Sequence, residues 1–282
     1  MLSAVQPPTL APMEERVILV TGATDGLGRG IALDLAARGA TVLLHGRSGE
    51  RLEATLEAVR TATGKSRIRV YRGDFESFEE VRALADSILA SEDRLDGLVN
   101  NAGIGDWYPG EGERVLVEGG IEIRFQVNYL AHFLLTRRLL PLLRGSAPAR
   151  IVNVTSGGQQ AIDFEDPMLT RDYSGWRAYC QSKLAQILFT FDLSEELAGS
   201  GVSAVCLHPA SLMPTKIVGS PTTPLSEGVD ATVRLVLTEE DFNGWYLVGT
   251  EDAWADAQAY DPEARAALRR LSEELTGEGP PG

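Results

Sequence analysis

The stretch RVILVTGATDGLGRG, residues 16–30, sets a short β-branched apolar run directly before a glycine-rich turn. Gly22, Gly26 and Gly28 there open a helical pattern beginning near Leu27. Glycines at such a turn allow tight backbone angles and let N–H groups approach a pyrophosphate, which the positive end of the helix stabilises. A glycine-rich turn alone is a weak signal. After a first apolar strand and before a helix it reads as a dinucleotide site, with Thr24 and Asp25 in the same turn.

Six more short apolar runs follow: TVLLH (41–45), IRVYR (68–72), LDGLVN (95–100), ARIVNVTS (149–156), SAVCLH (203–208) and WYLVG (245–249). Longer helical patterns fill most of the gaps. Near-continuous apolar strands separated by helices predict a doubly wound α/β fold, a parallel sheet of about seven strands with helices on both faces. The ending DPEARAALRRLSEEL places Asp261 as a cap, Pro262 at the first helical position and Gly277 just past a final helix. A single domain over 16–277 is expected, between a flexible arm at 1–15, with three prolines, and a fraying tail at 278–282.

The chain has 282 residues and a net charge of −14, which argues against a nucleic-acid partner, because phosphate affinity rests on lysine and arginine. The N-terminus lacks the basic start and long apolar core of a signal peptide. The most apolar segment, IRFQVNYLAHFLLTRRLLPLL, is interrupted by Arg124, Asn128, His132, Arg137 and Arg138, so it reads as a buried helix and not a membrane span. Cys180 and Cys206 form no CxxC or Cys/His cluster, and His45, His132 and His208 have no metal spacing; no metal site is expected, and the histidines read as packing or surface residues. A cytoplasmic, bacterial setting is compatible with these features.

After the second strand the chain reads HGRS, with Arg47 and Ser48 where an acid would favour NAD and a cation the 2′-phosphate of NADP. Asp25 tempers that preference. In RAYCQSKLAQ, residues 177–186, Tyr179 and Lys183 lie four apart and stack on one helix face. An ammonium beside a phenol favours the phenolate, so the pair reads as an acid/base catalyst, or more plainly as a half-buried tyrosine beside a surface lysine.

Taken together, TGATDGLG, NNAG at 100–103 and YCQSK resemble the short-chain dehydrogenase/reductase family, over about 16–276. The resemblance implies a single-domain Rossmann-fold oxidoreductase with Asn128, Ser156, Tyr179 and Lys183 as catalytic residues. Ser156 would hydrogen-bond the substrate oxygen, Tyr179 would exchange a proton with it, Lys183 would lower the tyrosine pKa and hold the nicotinamide ribose, and Asn128 would anchor a relay water. It further implies cofactor contacts at Asp74, Phe75, Asn101, Ala102 and Gly103, and along the loop after the sixth strand at Pro209, Ala210, Leu212 and Thr215. There Ala210 replaces the family's usual glycine and Thr215 falls one residue late.

Within the family the chain looks like the subgroup of retinol dehydrogenases and protochlorophyllide reductases, which implies NADP(H) over NAD(H) and an apolar alcohol, ketone or aldehyde substrate. Trp107, Gln159, Phe164, Tyr173, Trp176 and Met213 are the candidate pocket residues. A homodimer or homotetramer pairing through segment 121–143 and the helix of Tyr179 is expected by resemblance. A cofactor-sensing protein and a non-redox isomerase or lyase are the alternative readings; the complete catalytic set argues against the first, the missing substrate domain against the second.

Overall fold

Every apolar run becomes a strand. In the computed structural model, which describes residues 11–64, 67–109 and 112–279, the strands are β1 (Val17–Val20), β2 (Thr41–Gly46), β3 (Ile68–Arg72), β4 (Gly97–Asn100), β5 (Ala149–Val154), β6 (Val202–His208) and β7 (Tyr246–Val248). They run parallel in the order β3-β2-β1-β4-β5-β6-β7. A short β8 (Glu251–Asp252) pairs antiparallel with β7. Two exposed acids carry no apolar pattern, so the sequence gives no sign of it.

Side chains alternate across the sheet and each face buries its own core. Ile18 and Val20 of β1 pack with α1 (Gly26–Ala37), α2 (Gly49–Thr63) and α6 (Leu225–Leu237). Val17 and Leu19 point the other way, toward α3 (Phe78–Ser91), α4 (Ala131–Gly145), α5 (Gly175–Glu196) and α7 (Pro262–Thr276). Side chains of Asp25, Ser48, Ser77, Ser174 and Asp261 accept hydrogen bonds from first-turn N–H groups and start their helices. The final helix begins at Pro262 and ends at a left-handed Gly277, as its sequence requires.

Strand order reverses at β1, whose neighbours are β2 on one side and β4 on the other. The turn after β1 and the loop after β4 therefore open onto one crevice at the carboxyl end of the sheet, the usual ligand position in this class of fold.

One expectation needs correction. The apolar segment is not one regular helix: Phe125–Leu130 forms a π turn that runs into α4, an irregularity that often marks functional sites. Residues 11–15 of the arm include a 3-10 turn at Met13–Glu15, with an Arg16 Nε bond to the Ala11 carbonyl at 2.6 Å and Arg67 donating to the Glu14 carbonyl; residues 1–10 lie outside the described residues. In the tail, Glu278 pairs with Arg138 at 3.4 Å, and 280–282 lie outside the described residues.

α5 is buried at every position from Ala178 to Ser194, partly beneath α7. One of the two segments expected to pair with a second copy, α5, thus packs in part against the chain's own C-terminal helix. Among the described residues no helix is long and apolar enough to cross a membrane.

A polar seam pins α4 and α5 to the sheet. Asn100 Nδ2 on β4 donates to Asn153 Oδ1 on β5 at 2.8 Å and to Thr136 Oγ1 on α4 at 3.0 Å, and Asn153 Nδ2 donates to Thr190 Oγ1 on α5 at 2.8 Å. Because buried polar groups left unpaired are costly, Asn153→Ala is expected to lower stability by about 2 to 4 kcal/mol in urea denaturation.

Candidate active site

The turn after β1 depends on three missing side chains. A Cβ on Gly22, whose φ is +65°, would lie 2.8 Å from Ala102 Cα, and one on Gly28 would lie 2.4 Å from both Asn101 Nδ2 and the Gly22 carbonyl oxygen. Gly26, at φ +45°, would meet Thr215 Cγ2 at 3.3 Å. Asn101 closes the contact from the β4 side: its N–H donates to Thr21 Oγ1 at 2.8 Å and its Nδ2 to the Thr21 carbonyl at 2.8 Å, while Ala102 N–H reaches Thr21 Oγ1 at 3.0 Å. These two residues brace the turn.

Asp25 caps α1 by accepting from Gly26 N–H at 2.8 Å. The N–H groups of Leu27 and Gly28, next in the helix, have no intrahelical acceptor and face outward from a cradle that no Cβ fills. That is the chemistry a pyrophosphate needs, so the residues fit a dinucleotide cofactor. Asp25 carries more charge traffic than its place in a turn suggests. Lys216 Nζ lies 2.6 Å away and Arg51 Nη2 2.8 Å away, and the Lys216 bond leads in holding its carboxyl below the usual range.

At the adenosine end Arg47 is exposed, pairs with Glu76 at 3.0 Å, and sits 5.5 Å from the centre of the Tyr108 ring. Ser48 is occupied as the cap of α2, and Thr24 Cγ2 fills the space that a Cβ on Gly46 would take. Asp74 accepts from Glu76 N–H at 3.1 Å and so closes a tight turn; the cap of α3 is Ser77. The Phe75 ring is buried, stacked on His45 at 4.5 Å and edge-on to His132 at 5.1 Å, and is not offered to the crevice.

Both histidines do more than pack. His45 Nε2–H donates to the Gly73 carbonyl at 3.0 Å, which leaves Nδ1 to accept Gly22 N–H at 3.3 Å. His132 Nδ1–H donates to the Asn128 carbonyl at 2.9 Å. Burial pushes them down to about 4 and about 3, so both are neutral in the fold.

The four expected catalytic residues converge where the π turn, the end of β5 and α5 meet. Asn128 accepts from Ile104 N–H at 2.8 Å and donates to the Ile104 carbonyl at 3.1 Å and Ser182 Oγ at 2.9 Å. Its side-chain amide holds the β4 loop against α5, and its backbone carbonyl accepts from His132 Nδ1–H, so Asn128 also acts as a clamp. Gly103 makes room here: a Cβ would sit 3.2 Å from Asn128 Oδ1 and 3.6 Å from Lys183 Nζ.

Lys183 Nζ donates to the Val154 carbonyl at 3.1 Å and to Gln186 Oε1 at 2.9 Å, which leaves a third N–H only when the amine is protonated, and lies 5.9 Å from the Tyr179 ring centre. Burial lowers its pKa to about 7. Burial also raises the Tyr179 phenol to about 12, outweighing the neighbouring Ser156, which favours the ionised form. Burial therefore sets the direction of this shift, and the same burial that would strengthen an ammonium's field removes much of its charge. Tyr179 holds its proton at neutral pH, the state of a general acid.

The expected pocket residues separate. Trp176, half exposed, stacks on Tyr179 at 5.8 Å and covers Gly158, where a Cβ would meet its ring at 2.9 Å. Trp107 is exposed. The others are engaged elsewhere. Tyr173 holds its hydroxyl against Arg124 Nη1 at 2.6 Å, beside the buried Arg124–Glu122 pair. Phe164 packs on the core, Met213 is buried against Gly228 and Leu27, and Gln159 spends its amide on protein partners.

The loop after β6 crosses the crevice. Pro209 is buried, Ala210 packs on the core, and Leu212 is exposed at φ +50° with its carbonyl accepting from Thr222 N–H at 2.9 Å. Thr215 lies over Gly26, Lys216 reaches Asp25, and Ile217 Cγ2 would lie 2.8 Å from a Cβ on Gly105. Lys216, Arg51, Gln186 and the two histidines are the site residues that spacing does not reveal. Only Gln186, three positions after Lys183 on one helix face, leaves a sequence trace.

A lysine that is neutral in the fold and charged in the unfolded chain makes the unfolded state bind more protons between pH 7 and 10.5, so stability rises with pH across that window. Relative to Lys183→Met, the parent should therefore gain stability between pH 7 and pH 9.5; urea midpoints of both proteins at the two pH values check the sign.

Comparison with known proteins agrees with this geometry. The short chain dehydrogenase profile matches residues 16–223. Retinol dehydrogenase 13 of Mus musculus is 42% identical over 208 residues, covering 72% of this chain and 60% of the relative, so the match spans less than two thirds of that protein's length. A crystal structure of an uncharacterized protein from Mycobacterium Paratuberculosis superimposes with a TM-score of 0.78 and 32% identity over 98% of both chains. A short chain dehydrogenase from Shigella flexneri, solved in complex with NADP, has a TM-score of 0.65 and 27% identity over 84% of this chain and 98% of its own. The chain belongs to the short-chain dehydrogenase family.

Proposed function

We propose that this protein reduces the carbonyl of an apolar, aromatic or polyene-like small molecule with NADP(H), or runs the same step in reverse. The observation that carries the reading is a protonated, buried Tyr179 set against Ser156, with Lys183 on the same helix face. In this reading the bound cofactor supplies the hydride. Tyr179 gives its phenolic proton to the substrate oxygen, and the Ser156 hydroxyl donates a hydrogen bond to that oxygen as charge grows on it. Protonated Lys183 would have a third N–H for the ribose hydroxyls, beside Gly103. Leu27 and Gly28 N–H groups hold the pyrophosphate, and Arg47 leaves Glu76 for the 2′-phosphate.

Trp176 over Tyr179, with Trp107 nearby in the chain's β4 loop, supports an apolar substrate, and the relatives named for retinol are consistent with an extended one. The buried state of α5 supports assembly through a surface other than α5 itself. A cytoplasmic location belongs to this reading as well.

The test is titration with NADPH and NADH by nicotinamide fluorescence, followed by NADPH oxidation with retinal and a panel of aryl ketones. Tighter NADPH binding that Arg47→Ala weakens by roughly tenfold or more, and turnover that Tyr179→Phe lowers at least about a hundredfold, are expected. Equal turnover in Tyr179→Phe would contradict the assignment.

A further inference from the structure

Past Thr155 the sheet no longer holds the chain. Thr155 N–H still reaches the Leu207 carbonyl at 2.8 Å, but Ser156 is followed by Gly157 and Gly158, two residues with the widest backbone freedom. Something must fix the Ser156 peptide if its hydroxyl is to be aimed. That hold comes from two side chains outside the expected catalytic set.

Tyr246, on β7 two strands away, donates its hydroxyl proton to the Ser156 carbonyl at 3.1 Å. Gln159 Nε2 donates both its hydrogens, one to the same carbonyl at 3.2 Å and one to the Tyr246 oxygen at 2.9 Å. Gln159 Oε1 in turn accepts from Asp256 N–H at 2.7 Å, which ties the cluster to the segment before α7. Tyr246 is 3% exposed, so its bond to the Ser156 carbonyl is made out of water, while the Gln159 bonds are partly buried. On the other side of the same peptide, Gly158 N–H donates to Ser156 Oγ at 3.0 Å.

We infer that Tyr246 and Gln159 are positioning residues for Ser156, clamping its carbonyl so that its hydroxyl faces Tyr179. The inference rests on the proposed carbonyl chemistry for its kinetic consequence and on geometry alone for the clamp. It also gives Gln159 a different role: both its amide hydrogens are engaged by protein, so it has no donor left for substrate.

Tyr246→Phe keeps the ring and removes only the hydroxyl. Amide hydrogen exchange at residues 157–159 should quicken by about tenfold or more in this variant, with β1 and β4 unchanged, because the clamp alone is lost. With retinal or the best aryl ketone of the panel, kcat should fall about tenfold while the NADPH Kd stays within about twofold, and the loss should vanish in a Ser156→Ala background. Unchanged exchange, or a kcat loss that adds fully to that of Ser156→Ala, overturns the inference. Gln159→Leu carries the same test if Tyr246→Phe does not fold. A parent that turns over no carbonyl would defeat the functional reading, and the exchange measurement would still decide the clamp.

Discussion

The close approach of the β1 turn to the β4 loop is the constraint on which the rest of the site is built. Gly22 and Gly28 bring two backbones to within a distance no side chain tolerates, and Asn101 and Ala102 lock them there through Thr21. With that contact made, the outward N–H groups of α1 and the space above Gly103 end up on one crevice. His45, bonded to Gly22 N–H, carries the same constraint across to the end of β3. The strain of left-handed backbone at the turn is carried by glycine, where it costs least.

Burial sets the chemistry on the other side of the crevice. Removing Tyr179 and Lys183 from water favours the neutral form of each, which leaves a protonated phenol beside an amine that titrates near neutrality. The pair is tuned by desolvation more than by mutual attraction. Lys183 is steered by the Val154 carbonyl and Gln186, Asn128 clamps Ile104 to α5, and Ser156 is held from β7. Each group expected to react is thus fixed by another that touches no reacting atom, as precise catalysis requires.

Much of this was readable from residues. Strands announced themselves as apolar runs, α1 and α7 by their caps and glycines, and the core of the site by three motifs in order. What escaped is what depends on contacts between distant segments. Nothing in HPASLMPTK says that Lys216 will meet Asp25, nor could a lone tyrosine in WYLVG disclose that its hydroxyl reaches Ser156, 90 residues earlier. Pocket residues were the least legible, because aromatic and long polar side chains in loops serve packing as readily as recognition. Tyr173 and Met213 went to packing, and Trp176 lies on Tyr179. The π turn at Phe125–Leu130 has the composition of an ordinary buried helix and leaves no trace in the pattern.

The central claim is hydride transfer to a carbonyl with Tyr179 as the proton source. The most direct measurement is incubation of the protein with retinal and NADPH carrying deuterium at the nicotinamide C4, followed by mass analysis of the product. The account requires the alcohol to gain one deuterium from one face of the cofactor, and Tyr179→Phe to form almost none. Alcohol formed without deuterium, or formed equally well by Tyr179→Phe, would contradict it.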